Sequence, residues 1–322
     1  MSFKTTGVLA VILVALGAFW YFYDYKGEAP REAKAKLAKR MFQFDPGRVR
    51  RVFVATGDTM VVCERQPDST WVITSPVQTG ADRWTVDLIA SNVAELDRQE
   101  TIAEKATPEA LADYGLRPPS FRVYLDGAGI DTLLAGDESP TGGFTYVKLA
   151  GKPEVLAVGA WQVNRMRKTL YDLRDKTVLP FDRERVTKIE LIRPDSTVVC
   201  ERDASGAWNV VRPFGKALDR ERGDALLAAL HGLRARAFVA ESVDPPAQYG
   251  FDRPPLTVRL SGQEGPILTL TLGKKVGEHL YARVDRKATV YEVDERTFQD
   301  LWPPLKDRLP ATAARPDSGK NG

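Results

Sequence analysis

Residues that commonly build metal sites and nucleophile sites are scarce in this sequence. The 322 residues include two cysteines and two histidines, and none of the four lie at metal-ligand spacing. The chain also contains no Gly-x-Ser-x-Gly elbow, no phosphate-binding loop and no calcium-loop spacing. The sequence therefore indicates no catalytic residue, no cofactor and no metal, and we expect a protein that is not an enzyme.

An excess of charge of either sign is also missing. The formal net charge is +3, from 46 basic and 43 acidic residues. Nucleic-acid-binding domains usually carry a clustered basic excess. The charge balance therefore argues against a nucleic acid as the partner.

What the chain does contain is an internal repeat. The five letters VVCER occur at Val61–Arg65 and again at Val198–Arg202, which is 137 positions later. At this offset, residues 44–83 and 181–220 are identical at 14 of 40 positions. A match of this length and order indicates a duplicated structural unit.

The repeat continues at an offset of 135. There Tyr114-Gly115 corresponds to Tyr249-Gly250, and Tyr146 corresponds to Tyr281. In both units a Pro-Pro pair follows the Tyr-Gly step within a few residues, which suggests a helix end and a turn. The sequence thus predicts two copies of one fold.

The spacing of apolar residues suggests the fold class. Short alternating runs separated by turns that contain Gly or Pro predict strands in both units. Asp82 is placed as the N-cap of a helix that follows it. We predict an α+β fold, in which an N-terminal transmembrane helix precedes two homologous units, each a mainly antiparallel sheet with packed helices.

The transmembrane prediction rests on residues 7–23, a run of 17 positions without a charge. A helix of this length spans roughly 26 Å, the short end for a membrane span. A cleaved signal peptide is the alternative, but bulky aromatics fill the place of a cleavage site. The predicted segments are a tail (1–6), a bilayer anchor (7–23), a juxtamembrane stalk (24–41), unit 1 (42–180), unit 2 (181–310) and a disordered tail (311–322).

The orientation of such an anchor stays open. Six basic residues follow the span before residue 41, and the positive-inside rule would leave the units in the cytoplasm. Long domains can nevertheless be translocated regardless of flanking charge.

The repeated cysteines, Cys63 and Cys200, allow two interpretations. They could form a disulfide between units or be reactive thiols, or they could be small buried side chains inherited twice. We favour the second interpretation, because equivalent positions in two separate cores seldom lie within disulfide distance. By the same reasoning, the repeated Trp71 and Trp208 are predicted to anchor the two cores.

Positions that differ between the units are better candidates for function. Trp84 and Trp161 have no counterpart, since the corresponding positions hold Glu221 and Arg296. The acidic loop 136–143 likewise corresponds to a basic loop, 273–277. Packing roles and diverged hairpin turns are the alternative readings. The predicted partner or ligand contacts are Trp84, Trp161, Asp137, Glu138, Lys274 and Lys275.

Several motifs together resemble a known family. They are the N-terminal apolar segment, the Trp after the first hairpin, the Tyr-Gly step before Pro-Pro, the run Leu-Gly-Lys-Lys…Tyr-Ala-Arg-Val-Asp…Thr-Val-Tyr-Glu-Val and the closing Leu-Lys-Asp-Arg-Leu. With these motifs, residues 7–310 resemble the bacterial domain-of-unknown-function 4340 family. Residues 272–293 carry most of the likeness, whereas unit 1 has an acidic loop in place of Gly-Lys-Lys.

This resemblance implies a single-pass protein of the inner membrane with an extracytoplasmic domain, often encoded beside ABC-type transport components related to gliding-motility systems. It supplies no catalytic residues. Our first hypothesis is accordingly a membrane-anchored, non-enzymatic accessory or scaffold protein of the cell envelope, associated with such a transport system. The second is an envelope module that binds a glycan, peptide or lipid between the two units. The third is an unrecognised hydrolase, for which no sequence feature selects a catalytic pair.

Overall fold

The computed structural model describes residues 3–21, 37–212, 216–217 and 220–301. The chain divides into two compact units, Met1–Asp175 and Lys176–Gly322. Most of the predicted stalk (24–41) and the whole predicted tail (311–322) lie outside the described residues.

The first helix, α1, covers Phe3–Trp20. Within the described ranges, no helix is both long enough and apolar enough to cross a bilayer. The prediction of a bilayer anchor over residues 7–23 is therefore wrong.

After position 40, the described residues of unit 1 form nine strands and four short helices. Its strands are β1 (Arg51–Thr56), β2 (Thr59–Arg65), β3 (Trp71–Ser75), β4 (Thr79–Gly80), β5 (Arg98–Ala103), β6 (Phe121–Asp126), β7 (Leu133–Glu138), β8 (Phe144–Leu149) and β9 (Val155–Gly159). Its helices are α2 (Arg83–Ala94), α3 (Pro108–Asp113), α4 (Ala160–Met166) and α5 (Leu170–Leu173), and a 3-10 turn covers Pro46–Arg48.

The nine strands of unit 1 form one antiparallel sheet in the order β4-β3-β2-β1-β6-β7-β8-β9-β5. Consecutive strands are mostly neighbours, because tight turns join them. The steps from β5 to β6 and from β4 to β5 are the exceptions, and the latter joins strands at opposite edges of the sheet. Helix α2 makes that connection, and the Asp82 carboxylate caps it by accepting from the Thr85 N–H at 2.8 Å.

Unit 2 repeats this plan. Its strands are β10 (Lys188–Ile192), β11 (Thr197–Arg202), β12 (Trp208–Arg212), β13 (Lys216–Ala217), β14 (Ala237–Ala240), β15 (Leu256–Gly262), β16 (Gly265–Val276), β17 (His279–Val284) and β18 (Val290–Asp294). Its helices are α6 (Arg220–His231) and α7 (Arg296–Leu301), and a 3-10 turn covers Pro246–Tyr249. The strand order is β13-β12-β11-β10-β15-β16-β17-β18-β14, in which each strand takes the place of the unit 1 strand whose number is nine lower.

The predicted α+β class with an N-terminal transmembrane helix is wrong. The described chain consists mainly of two nine-stranded antiparallel sheets, and the helices are few. Two polar segments, Arg98–Ala103 and Thr79–Gly80, join the sheet of unit 1 as edge strands although they lack an apolar alternation. Edge strands need less apolar surface than central ones, which explains why the β content exceeds the prediction.

Each unit has its own apolar core. Trp71 and Trp208 are almost fully buried, which confirms their predicted core role. Cys63 and Cys200 are also buried and free, and burial raises their thiol pKa values to about 12 and about 11. The interpretation as small buried side chains is therefore confirmed.

A repeated three-residue cluster connects the VVCER strand to the 12-residue helix of each unit, α2 or α6. In unit 1 the Asp87 carboxylate accepts from the Arg65 guanidinium at 2.8 Å and from the Trp71 indole N–H at 2.9 Å. In unit 2 Asp224 accepts from Arg202 and from Trp208, both at 3.3 Å. A buried indole N–H needs such an acceptor, so the cluster stabilises the packing of helix on sheet.

Candidate functional site

The repeated Tyr-Gly step of unit 1 packs against the acidic loop. Gly115 has a φ of +64°, which a side chain would disfavour, and it follows Tyr114 at the end of α3. The Asp137 N–H donates to the Tyr114 carbonyl at 3.0 Å. A Cβ atom on Gly136 would lie 2.1 Å from that same carbonyl oxygen, so only glycine fits there.

Unit 2 has the same close approach. Gly250 has a φ of +75°, and a Cβ on it would lie 2.7 Å from the backbone nitrogen of Lys274. A Cβ on Gly273 would lie 2.1 Å from the Tyr249 carbonyl oxygen. We call this arrangement the Tyr-Gly corner: Tyr114-Gly115 with Gly136-Asp137 in unit 1, and Tyr249-Gly250 with Gly273-Lys274 in unit 2.

A β-bulge shapes each corner. In unit 1 the register between β7 and β8 shifts between Ala135 and Glu138, and in unit 2 the register between β16 and β17 shifts between Leu272 and Lys275. Two residues of one strand therefore oppose a single tyrosine of the other, Tyr146 or Tyr281. Bulges of this kind redirect side chains away from the regular sheet, and here the redirected residues include Asp137 and Lys274.

An aromatic pair closes each corner. The rings of Tyr114 and Tyr146 lie 4.7 Å apart between centroids, and those of Tyr249 and Tyr281 lie 5.3 Å apart. Both distances suit favourable ring contacts. The tyrosines that recur at the offset of 135 are thus contact partners, and the corner geometry is common to both units.

The exposed charges on the two corners have opposite sign. In unit 1 Asp137 and Glu138 are exposed, and Glu138 accepts from the Asn164 amide at 3.0 Å. The guanidinium of Arg167 donates to the Ser120 hydroxyl and the Gly136 carbonyl, each at 3.1 Å. Burial lowers the pKa of Arg167 below its usual range, and the carboxylates of Glu138 and Asp137 oppose that shift.

The corner of unit 2 borders a shallow depression of about 430 Å³. Lys274 and Lys275 are exposed at its edge, and the Lys275 ammonium lies 2.6 Å from the Glu295 carboxylate. Within the described residues, neither Lys274 nor Arg253 forms an ion pair. The depression is lined by Gly250, Arg253, Pro255, Lys274, Lys275, Leu280 and Glu295.

The two candidate tryptophans are both exposed but lie apart. Trp84 is 82% exposed in the first turn of α2, and Trp161 is 62% exposed at the start of α4. Gln162, beside Trp161, donates to the carbonyl of Glu95 at the far end of α2. Trp84 and Glu95 are 11 positions apart, which is roughly 16 Å along the axis of α2. The two tryptophans therefore lie near opposite ends of that helix.

Trp161, unlike Trp84, belongs to the neighbourhood of the acidic corner. Its helix α4 supplies Asn164 to Glu138, and the Ala160 N–H donates to the Gly143 carbonyl at the end of the acidic loop. The guanidinium of Arg165 lies 5.8 Å from the Trp161 ring. The structure therefore brings Asp137, Glu138 and Trp161 into one region of unit 1, and Lys274 and Lys275 into one region of unit 2.

Three residues of these clusters were not identified from the sequence. Asp87 and Asp224 are 137 positions apart, so extending the first offset by four residues beyond Arg83 would have found them. Arg167 had no such signal, because it lies between two short helices with no repeated pattern. Within the described ranges no group of three or more His, Cys, Asp or Glu side chains could hold a metal ion.

A family model described as "Domain of unknown function (DUF4340)" matches the chain twice, over residues 71–254 and 208–309. The two matches begin at Trp71 and Trp208, the repeated core tryptophans. No curated protein matches the sequence. No solved structure matches it either.

Proposed function

The chain belongs to the DUF4340 family, and we propose that it is a non-enzymatic accessory or scaffold protein of the cell envelope that works with an ABC-type transport system. The observation that carries this proposal is the duplicated Tyr-Gly corner. One backbone arrangement occurs twice, with acidic side chains in unit 1 and basic side chains in unit 2. A protein that holds other proteins needs rigid surfaces with distinct charge, because complementary charge determines which partner binds.

The rigidity of the corners supports this role. Glycines in close backbone contact, a bulge and a tyrosine pair fix the exposed charges in each unit. Charged groups on a fixed backbone lose less conformational freedom on binding than groups on an open loop. The association with transport components follows the expectation drawn from the family resemblance.

A co-purification experiment tests the proposal. The tagged full chain is expressed in its native cells, cross-linked and purified, and the bound proteins are identified by mass spectrometry. We expect enrichment of ABC-type transport components with the wild-type chain. Enrichment should fall for Asp137→Lys with Glu138→Lys, or for Lys274→Glu with Lys275→Glu.

Two exposed positions away from the corners supply matched controls. Asp58 lies in the turn between β1 and β2, and Arg259 lies on β15. Asp58→Lys and Arg259→Glu each reverse the sign of one charge outside the corners and should leave the enrichment unchanged. Absence of transport components from the wild-type sample under mild conditions would count against the proposal.

A second candidate function is an envelope module that binds a glycan, peptide or lipid. The exposure of Trp84 and Trp161 favours it, because large exposed aromatics often contact ligands. Binding of the purified chain to arrays of envelope glycans and peptides would be compared with that of Trp84→Ala and Trp161→Ala. Loss of binding in a variant that keeps its circular dichroism spectrum would support this function over the first.

A further inference from the structure

We infer that the depression beside the Tyr-Gly corner of unit 2 is a docking site for an acidic peptide segment that carries one apolar side chain. This inference rests on the proposed accessory function and specifies the chemistry of one partner. The depression is lined by Gly250, Arg253, Pro255, Lys274, Lys275, Leu280 and Glu295. We refer to it below as the basic depression.

The floor of the basic depression is apolar. Leu280 is a buried residue of β17, and Pro255 and Gly250 complete the lining with groups that carry no charge. The volume of about 430 Å³ falls at the lower end of the range for ligand sites. Such a space suits one apolar side chain of a peptide and the backbone beside it.

The rim of the basic depression is cationic. Arg253 and Lys274 are exposed and form no ion pair within the described residues, whereas the Lys275 ammonium already contacts Glu295 at 2.6 Å. Two cations are therefore available to carboxylates of a partner. An apolar centre with a charged, solvent-accessible rim is the usual anatomy of a protein-binding surface.

The backbone of the rim is held in place before any ligand arrives. Gly250 is left-handed and lies against the Lys274 nitrogen, and the bulge between Leu272 and Lys275 directs Lys274 out of the regular ladder. The Arg283 guanidinium lies 5.0 Å from the Phe251 ring beside the corner. A preorganised rim binds more tightly than a mobile one.

Charge and shape together favour a peptide as the occupant. A free anion such as phosphate would gain nothing from the apolar floor. Bilayer surfaces are recognised by clusters of about four to eight basic residues, whereas the residues that line this depression offer only Arg253 and Lys274 as unpaired cations. A peptide with carboxylates flanking one apolar residue complements both the apolar floor and the cationic rim.

The inference is tested by fluorescence anisotropy with the purified full chain. The probes are fluorescein-labelled heptapeptides with a central Phe, Leu or Trp flanked by two Glu or Asp on each side. Control peptides replace the central residue with Ala, or every acid with its amide. We expect saturable binding with a Kd below about 1 mM that weakens with added salt, and at least tenfold weaker binding of both control peptides.

Variants then assign the binding to the basic depression. Arg253→Glu with Lys274→Glu should weaken binding at least tenfold, whereas Lys274→Arg should retain it. Arg259→Glu, which reverses one charge on β15, and Asp137→Lys with Glu138→Lys, in unit 1, should leave binding unchanged. Circular dichroism and thermal unfolding show whether each variant folds. If the double variant does not fold, Lys274→Ala is tested in its place.

Several results would overturn the inference. They are the absence of saturable binding by every acidic peptide, binding that the Arg253 and Lys274 variant leaves intact, competition by inorganic phosphate at equal concentration, and equal Lys274-dependent binding of phosphatidylglycerol vesicles. Failure of peptide binding while transport components still co-purify would reject this site and leave the proposed function standing. Peptide binding without co-purification of transport components would support this site and reject the proposed function.

Discussion

The guanidinium carbon of Arg65 lies 4.5 Å from the centre of the Trp71 ring. In unit 2 the same contact occurs between Arg202 and Trp208 at 4.8 Å. Cation–π contacts of this length are favourable, especially when the ring is buried. The arginine that ends the VVCER repeat thus has a packing role in both units.

The carboxylates that join these pairs to the helices should be important for stability. Asp87→Ala leaves the Arg65 guanidinium and the Trp71 indole N–H without their acceptor, so we expect a loss of about 2–3 kcal/mol in the free energy of unfolding. Asp224→Ala should cost less, about 1–2 kcal/mol, because its bonds are 3.3 Å long and its carboxylate is 45% exposed against 32% for Asp87. Urea unfolding, with hydrogen exchange to separate the two units, measures both losses.

Arg83→Ala is the control for this comparison. Arg83 contacts the same Asp87 carboxylate at 3.5 Å from an exposed position, so its removal should cost less than about 0.5 kcal/mol. Equal losses for Arg83→Ala and Asp87→Ala would contradict the proposed role of this partly buried cluster.

The close contacts of the two corners predict a second effect on stability. Gly136→Ala and Gly273→Ala each place a methyl carbon 2.1 Å from a carbonyl oxygen of the backbone, which forces the bulge away from the Tyr-Gly step. Overpacking of this kind costs typically about 1–3 kcal/mol. Thermal unfolding should show both losses.

Gly80→Ala is the matched control for the glycine variants, because its added carbon would have its nearest neighbour at 3.6 Å, an ordinary contact. We expect a change below about 0.5 kcal/mol for this variant. An equal loss for all three variants would show that the corners are not specially tight.

The sequence allowed the shared features of the two units to be predicted better than their sheet edges. An offset of 137 aligned the VVCER strands and the core tryptophans, and an offset of 135 aligned the tyrosines that prove to be paired, since identical residues at matching positions require identical surroundings. Edge strand β5 was not predicted, because Arg98, Gln99 and Glu100 are exposed and carry no alternation. Pairing with β9 is a tertiary effect that a local pattern does not contain.

The residues of the candidate site could be predicted from the sequence, but the contacts between them could not. The divergent loops and the Tyr-Gly steps were visible separately, but their contact depends on a bulge, and a bulge in β7 or β16 has no distinctive local sequence. The membrane anchor failed for a related reason. The sequence shows an uncharged apolar run over residues 7–23, but no helix among the described residues is long and apolar enough to cross a membrane.

Burial of the thiols predicts chemical inertness. Burial raises the pKa of Cys63 to about 12 and that of Cys200 to about 11, so neither forms a thiolate at neutral pH. We expect no labelling by a disulfide reagent at pH 8 in the folded state, and labelling of two thiols per chain after denaturation. Labelling of either cysteine on mixing, before unfolding, would contradict the burial.

The turn between β11 and β12 predicts a pH dependence at low pH. Hydrogen bonds from the side chains of Ser205 and Asn209, and from the Ala207 N–H, lower the pKa of Asp203 from 3.8 to about 2. Because the folded state favours the ionised carboxylate, its stabilising contribution is present above pH 3.8 and is lost as the pH falls to about 2. Carboxyl NMR should place the titration midpoint of Asp203 near 2.

Hydrogen exchange of the backbone N–H groups in this turn provides a second measurement of that titration. Protection of the Ser205 and Ala207 amides should fall between pH 4 and pH 2, because protonation removes the acceptor of both N–H groups. Asp203→Ala should lack protection at every pH, and Glu278→Gln, a change at an exposed turn carboxylate of the same unit, should behave as the wild type. A midpoint for Asp203 near 3.8, or protection that persists in Asp203→Ala, would show that these bonds do not hold the turn.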